Sequence, residues 1–237
     1  MTFTSVEFPL FLSLLLLLQH AVRRSALETY LLLLGSYLFC VSGSLTGTLL
    51  VFTTSLVDYT VGRRIHAAED PGLRKRWLLA SLASNLGILA FFKYANFLMG
   101  AVGSMAGTMG MPMSVPRVDF GLPPGLSYFT FTGVSYVVDV YYGRLDPSRR
   151  FAEYAAHVAY FPKFLAGPIA RAGDVLPQLT AHVRASARDF EVGLAYFLLG
   201  AVKKLAIADQ VAPHVGLIFS NPGQFDALTL LQGAIGY

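Results

Sequence analysis

Charge is what this chain has least of. Asp, Glu, Lys and Arg make up 14% of its 237 residues, where an average soluble domain has about a quarter. With 54% hydrophobic residues and a mean hydropathy of +0.55, the composition argues against a soluble globular protein and for an integral membrane one. Cysteine is nearly absent too. Cys40 is the single one, which excludes an intrachain disulfide, and no activating base stands near it, so it reads as a small buried residue rather than a nucleophile. Trp77 is the single tryptophan. The net charge of +4 does not point to nucleic acid, because the basic residues fall in short clusters between apolar runs rather than along one face. No internal repeat and no linker to a second, soluble domain stands out.

What the chain has instead is apolar runs. Candidates for spanning helices, each needing about 20 apolar residues, fall at 6–20, 26–43, 45–62, 77–99, 124–142 and 151–166, with shorter stretches at 189–202, 211–219 and 227–237. The first run is followed by Arg23-Arg24 and by no small-residue cleavage site, so it is expected to stay as an anchor rather than be removed as a signal peptide. The connections after alternate runs carry the positive charge: Arg23 and Arg24, then Arg63, Arg64, Arg74, Lys75 and Arg76, then Arg144, Arg149 and Arg150, against Arg117 alone in the intervening ones. The positive-inside rule therefore places the N-terminus outside and those three loops in the cytoplasm of a multi-pass protein of the cell membrane. The 100–122 stretch, "GAVGSMAGTMGMPMSVPRVDFG", holds Met105, Met109, Met111 and Met113, a soft-metal composition, but its glycines and prolines favour a flexible outer loop over a copper site. No metal site is expected.

One stretch breaks the pattern. "AYFPKFLAGPIARAGDVLPQL", 159–179, inserts Lys163, Arg171, Asp174 and three prolines into what would otherwise continue an apolar run. Pro162 and Pro168 each remove a backbone donor and Gly167 permits a sharp turn. A full crossing here would carry Arg171, Arg184 and Arg188 outside, against the charge pattern; a re-entrant hairpin broken near Ala166-Gly167-Pro168 removes the conflict. Backbone freed in this way survives at membrane depth only where protein or a watery cavity satisfies it. A kinked helix whose Lys163 and Arg171 snorkel to the headgroups is the alternative. The fold class expected is thus all-α, a single polytopic transmembrane bundle over 1–237 with a broken or re-entrant segment near 162–180.

Four blocks, "FKYANF" (92–97), "LPPGLSYFTFTGVSYVVDVYYG" (122–143), "FPKFLAGPIARAGDVLPQL" (161–179) and "FLLGAVKKLAIADQVAP" (197–213), together resemble the membrane-bound O-acyltransferases, in particular the alginate O-acetyltransferase branch. That resemblance implies a polytopic enzyme moving an acyl group, here acetyl, from a thioester donor such as acetyl-CoA or an acyl carrier to hydroxyls of an extracytoplasmic polysaccharide, with no tightly bound cofactor. It implies further membrane or periplasmic subunits as partners beside the lipid bilayer. Proteins of the family are roughly twice this length, and their membrane-embedded histidine lies in the second half, beside a tryptophan; no such stretch occurs here. The last run, "ALTLLQGAIGY", is about half a spanning helix, as if the chain were the N-terminal part of a larger acyltransferase.

No catalytic residue is therefore assigned. His20 and His66 sit at predicted helix ends beside arginines and read as solvated, and His182 and His214 flank helix breaks. His157, inside an apolar run, is the best intramembrane base from the residues alone, yet it does not match the family motif and reads more simply as a satisfied buried histidine. Substrate-binding candidates are Lys163, Gly167, Pro168 and Arg171 in the broken segment, and Lys203 and Lys204 in "KKLAIAD", near Asp209. Asp58 and Asp139, each five residues before an arginine, read first as interfacial anchors; Asp139 has the alternative of binding Arg171 or one of the lysine pair within the bundle. Lys93 reads as snorkelling. Outside the enzyme class, a transporter or channel subunit also builds sites from broken helices, and an inactive truncated scaffold is the third alternative. The topology is checked by cysteine-accessibility labelling at Ala67 and Ser148 in a Cys40→Ser background: protection from an impermeant external reagent is expected, and labelling from outside overturns the orientation.

Overall fold

The computed structural model describes residues 3, 5–22, 27–109, 122–164, 167–181 and 186–237. Arg23, Arg24, Met111, Met113, Arg117, Ala166, His182 and Arg184 lie outside them. Among the described residues every regular element is helical, as the all-α expectation has it. The first five helices are α1 (Glu7–Val22), α2 (Leu27–Gly43), α3 (Leu45–Ala67), α4 (Pro71–Thr108) and α5 (Leu126–Tyr141). Caps set their starts. The Ser44 hydroxyl accepts from Gly47 N–H at 3.0 Å, and the Asp70 carboxylate accepts from Gly72 and Leu73 N–H at 3.1 and 2.9 Å, with Pro71 at the first position, where its missing N–H is no loss.

One expectation about spans is corrected here and another is met only in part. Residues 100–108, expected as the start of an outer loop, continue α4 as helix. Their glycines cost only about 1 kcal/mol each relative to alanine, and no proline interrupts before Pro112. Six spanning runs were expected, but among the described residues α4 alone is both long enough and apolar enough to cross a membrane, over its 38 residues. Helices α1 and α2 are apolar but shorter, and α3, at 23 residues, carries Asp58, Arg63 and Arg64.

Helices α3, α4 and α5 pack on one another around Val51, Ile65, Phe129, Tyr136, Val137 and Val140. Inside this core lies a carboxylate. Asp58 is 1% exposed, and its Oδ1 accepts from Ser81 Oγ and Asn85 Nδ2, both at 2.7 Å. It is therefore an internal tie between α3 and α4, not the interfacial anchor expected. Asp139 does keep local company: its Oδ1 is 3.8 Å from Arg144 Nη1. Cys40 is buried, as expected.

The sixth run is not a single helix. Helix α6 (Phe151–Ala159) stops at Tyr160, the one-turn α7 (Phe161–Phe164) follows, and after an extended stretch the chain resumes as α8 (Ala172–Thr180). Helix α6 packs on α2 and α3, and α8 packs back on α6. The start of α6 is fixed at one end of the bundle, where Tyr59 OH donates to Arg149 O and Tyr136 OH accepts from Ser148 N–H, both at 3.1 Å. Phe161 and Phe164 are at the other end: Phe161 packs on Phe8 and Phe39 with ring centroids 6.2 and 5.7 Å away, and Phe164 stacks on Phe129 at 6.2 Å. Ser148 itself is buried, so Ala67, which is exposed, is the informative labelling position.

Residues 184–237 form a second compact unit, distinct from 1–183. Helix α9 (Ala187–Val202) starts on a capping box between Ser186 and Asp189, passes through a wide π-helical turn at Lys203–Ala208 into α10 (Asp209–Ser220), and α11 (Ala227–Gly236) packs on α10.

Gly133 on α5 is where Asp58 is accommodated, since a Cβ there would overlap Asp58 Oδ2. Alanine would gain about 1 kcal/mol of helix propensity but lose about 1–3 kcal/mol to overpacking, more if the carboxylate is pushed off its donors. Gly133→Ala is expected to lower the melting temperature in detergent by several degrees, 1 kcal/mol being about 2–4 °C for a chain of this size; an unchanged or raised value would show that the helices part freely.

Candidate functional site

The broken segment follows from its prolines. Pro162 cannot supply the N–H that would extend the α6 ladder to Val158, and Tyr160 accordingly leaves helical geometry at φ −51°, ψ 104°. Beyond α7, Gly167 lies against Lys163, where a Cβ would come within 2.7 Å of the Lys163 Cβ. Pro168, Ile169 and Arg171 are exposed, and Arg171, extended at φ −68°, ψ 143°, opens α8. Pro177 sits inside α8 and removes a further ladder bond.

This doubling back creates a cavity at each end. Near the close of α1 and the start of α2, a space of about 370 Å³ is lined by Gln19, Glu28, Thr29, Tyr160, Lys163 and Gln178. Of its lining residues, Lys163 carries the one positive charge and Glu28 the one negative charge. At the start of α5, a second space of about 430 Å³ is mostly apolar, bounded by Pro123, Pro124, Tyr128, Phe131, Gly167 and Ile169. The segment 160–179 thus contributes to both, and its return strand of α8 brings Val175, Gln178 and Leu179 back to the first.

Lys163 is held from two sides. Its Nζ lies 5.6 Å from the centroid of the Tyr160 ring and 3.4 Å from His157 Nδ1. An ammonium can only donate, so Nδ1 accepts and the imidazole proton sits on Nε2. His157 is fully buried, and its Nε2 has no hydrogen-bond partner among the described residues. The expectation of a satisfied buried histidine therefore holds for one ring nitrogen and not for the other. Chemically the pair can hold an anionic group at Lys163 and pass a proton between neighbouring nitrogens; among the described residues no nucleophile is bonded to it.

Of the residues singled out from sequence, Lys163 and Gly167 come together on the broken segment, with Pro168 five residues and Arg171 eight residues beyond Lys163 on its exposed side. Arg171 is exposed, so the internal pairing with Asp139 that was weighed as one alternative is not the arrangement seen. Lys203 and Lys204 belong to the second unit, both exposed, in the π-helical turn, where Lys204 pairs with Asp209. His20, His66 and His214 are exposed, in keeping with a solvated role. Sequence reasoning missed Ser81 and Asn85, whose signal was their four-residue spacing on a helix facing Asp58, and missed Tyr160, Glu28 and Gln19, which only the packing of α6–α8 against α1 and α2 assembles.

The fold and these cavities define an all-helical chain that lodges a broken, charged hairpin among apolar helices. Its relatives are O-acetyltransferases. The chain is 35% identical to a probable alginate O-acetylase AlgI of Pseudomonas aeruginosa over 213 residues, 87% of this chain and 39% of that protein. It is 34% identical to the probable alginate O-acetylase AlgI of Azotobacter vinelandii over 99% of this chain and 46% of that protein. A peptidoglycan O-acetyltransferase of Helicobacter pylori is 24% identical over 93% of this chain and 46% of its own length. The resemblance carried by the four blocks is thus shown along nearly the whole chain, which spans less than half the length of the curated relatives it matches. No family model matches the chain, and no solved structure does.

Gly125 is the hinge pin between α5 and the broken segment. It is left-handed at φ 74°, and a Cβ would stand 2.6 Å from the carbonyl oxygen of Phe164. Either fact alone opposes a side chain, the conformation costing about 1–2 kcal/mol. Gly125→Ala is expected to lower the melting temperature in detergent clearly more than Ser127→Ala, an exposed position two residues on; equal effects would show that α7 does not depend on this contact.

Proposed function

We propose that the chain is the N-terminal portion of a multi-pass membrane O-acyltransferase of the cell membrane. In the whole protein it would serve transfer of an acyl group, in the first place acetyl, from a thioester donor to hydroxyls of an extracytoplasmic polysaccharide. The observation that carries this is the broken hairpin 160–179, coextensive with a block shared with O-acetylases and joined to a cavity at each end of the first unit. The membrane setting is supported by an inverted distribution of side chains. Leu10, Leu17, Leu34, Leu49 and Phe97 are between 56% and 72% exposed, while Asp58, Ser81, Asn85 and His157 are at most 1% exposed. Lipid can solvate the former and cannot satisfy the latter.

In the charge-derived topology the cavity of Lys163 faces the cytoplasmic side, where thioester donors are made, and the cavity of Tyr128 and Phe131 the outer side. Transfer joins an acceptor hydroxyl oxygen to the thioester carbonyl carbon, expels the thiolate, and needs a base for the hydroxyl proton. The residues of this chain proposed for donor and acceptor contact are Lys163, Gly167, Pro168 and Arg171, with Lys203 and Lys204 as further cationic contacts. Arg171, exposed beside the break, offers a planar fork to a carboxylate or phosphate. The base and the remaining subunits are proposed to come from outside these 237 residues.

The test is thioester-dependent O-acetylation of a polysaccharide, measured with the 237 residues alone and with the reading frame extended beyond Tyr237. Activity is expected only in the extended protein, because losing a general base alone costs about 10²–10⁴-fold. In that protein Arg171→Lys should leave membrane insertion and protein level unchanged and cut transfer at least about tenfold, 1.4 kcal/mol in the transition state. Wild-type turnover in the lysine variant would remove Arg171 from the site, and an extended protein that transfers nothing would overturn the reading.

A further inference from the structure

A third cavity, of about 410 Å³, lies where α3 ends and the loop before α6 passes over it, and the broken hairpin has no part in it. Arg63, His66, Asp146, Ser148 and Arg149 line it. Two tyrosines from the core brace residues of its lining. Tyr59 OH accepts from Arg63 Nη1 at 3.1 Å and donates to the carbonyl oxygen of Arg149 at 3.1 Å, so one hydroxyl ties both arginine residues to α3. Tyr136 OH, from α5, accepts from Ser148 N–H at 3.1 Å, and Ser148 Oγ donates to Arg150 O at 3.0 Å. The loop is thereby pinned on both sides.

The cavity is lined by two arginines and a histidine against a single acidic residue, Asp146. The balance is positive, and guanidinium forks are shaped for a tetrahedral or planar oxyanion held by two oxygens. Depth identifies the source of that oxyanion. One residue along from Arg63, the Arg64 guanidinium stacks on Trp77 at 5.8 Å from the ring, and tryptophan beside arginine at the ends of apolar helices marks the headgroup layer of a bilayer.

We propose that this cavity binds the phosphate of an anionic membrane lipid, resting on the membrane reading given above. A lipid phosphodiester seated there would couple α3 to the loop that launches α6, and so fix the depth of the hairpin from its cytoplasmic end. The same phosphate chemistry is carried by soluble donors such as coenzyme A, and the test separates the two.

The full chain is first extracted with alkaline carbonate; release from the membrane would sink the membrane reading itself, independently of this site. The protein purified in neutral detergent is then titrated with short-chain phosphatidylglycerol, phosphatidylcholine, inorganic phosphate and coenzyme A, with bound lipid counted by native mass spectrometry. Phosphatidylglycerol is expected to bind at least about tenfold tighter than phosphatidylcholine, in line with about 1 kcal/mol per basic residue near an anionic surface. Arg63→Gln with Arg149→Gln should abolish that preference, and Arg149→Gln alone, which keeps the Tyr59 hydrogen bond to the residue 149 carbonyl, should reduce it. Lys75→Gln with Arg76→Gln, the same loss of charge on exposed positions of α4, should leave it intact. Equal loss in that control, or retention in the double arginine variant, overturns the site; displacement of the lipid by coenzyme A at equal concentration overturns the lipid as its source.

Discussion

A polar group among apolar helices must find a partner within the protein, and most of this structure follows from that requirement. In water an unmatched carboxylate or backbone carbonyl is solvated; among apolar side chains each one left unpaired costs on the order of 1–3 kcal/mol, and more when charged. Asp58 meets the requirement through Ser81 and Asn85, and in doing so fixes α3 against α4 with α5 pressed close at Gly133. The same requirement, acting on backbone, shapes the hairpin. Pro162, Pro168 and Pro177 remove donors, and residues of the segment they interrupt, Tyr160, Lys163, Gly167, Ile169 and Gln178, line the two cavities.

The hairpin and the buried carboxylate are linked through α6. Tyr154, fully buried on α6, packs its ring 4.2 Å from that of Tyr136 on α5, while His157, one turn later, meets Lys163 beyond the break. A displacement of α6 would therefore be felt both in the core and at the lysine of the first cavity. Tyr136 also holds the loop before α6 through Ser148, so one side chain connects the α3–α5 core to the start of α6 and, through Tyr154, to its middle.

The relatives give the arrangement a chemical setting. The alginate O-acetylase of Azotobacter vinelandii aligns over 99% of this chain and 46% of its own length, so the hairpin and its two cavities fall within the stretch the two proteins share. Lys163 enters one of them, and the phenol of Tyr128 borders the other. His157, between the core and the first cavity, turns its Nδ1 toward the Lys163 ammonium and keeps its Nε2 without a partner among the described residues.

How much of this was legible in the sequence depended on the range of the interaction. Composition and apolar runs indicated the helices, because helix formation is local, although the run read from residue 77 missed the first turns of α4, which the Asp70-Pro71 cap starts. The prolines and glycine of 161–168 marked the break for the same reason, and the four blocks marked the kinship. The extent of α4 past residue 100 was not legible, since glycines weaken a helix without ending it. Nor was the place of Asp58: five residues before an arginine it looked interfacial, and only the approach of Ser81, Asn85 and Gly133 from two other helices made it internal. Tertiary structure likewise put Arg171 outside and Lys163 beside His157, because which face of a broken helix turns inward is decided by what it packs against, not by the residues that break it.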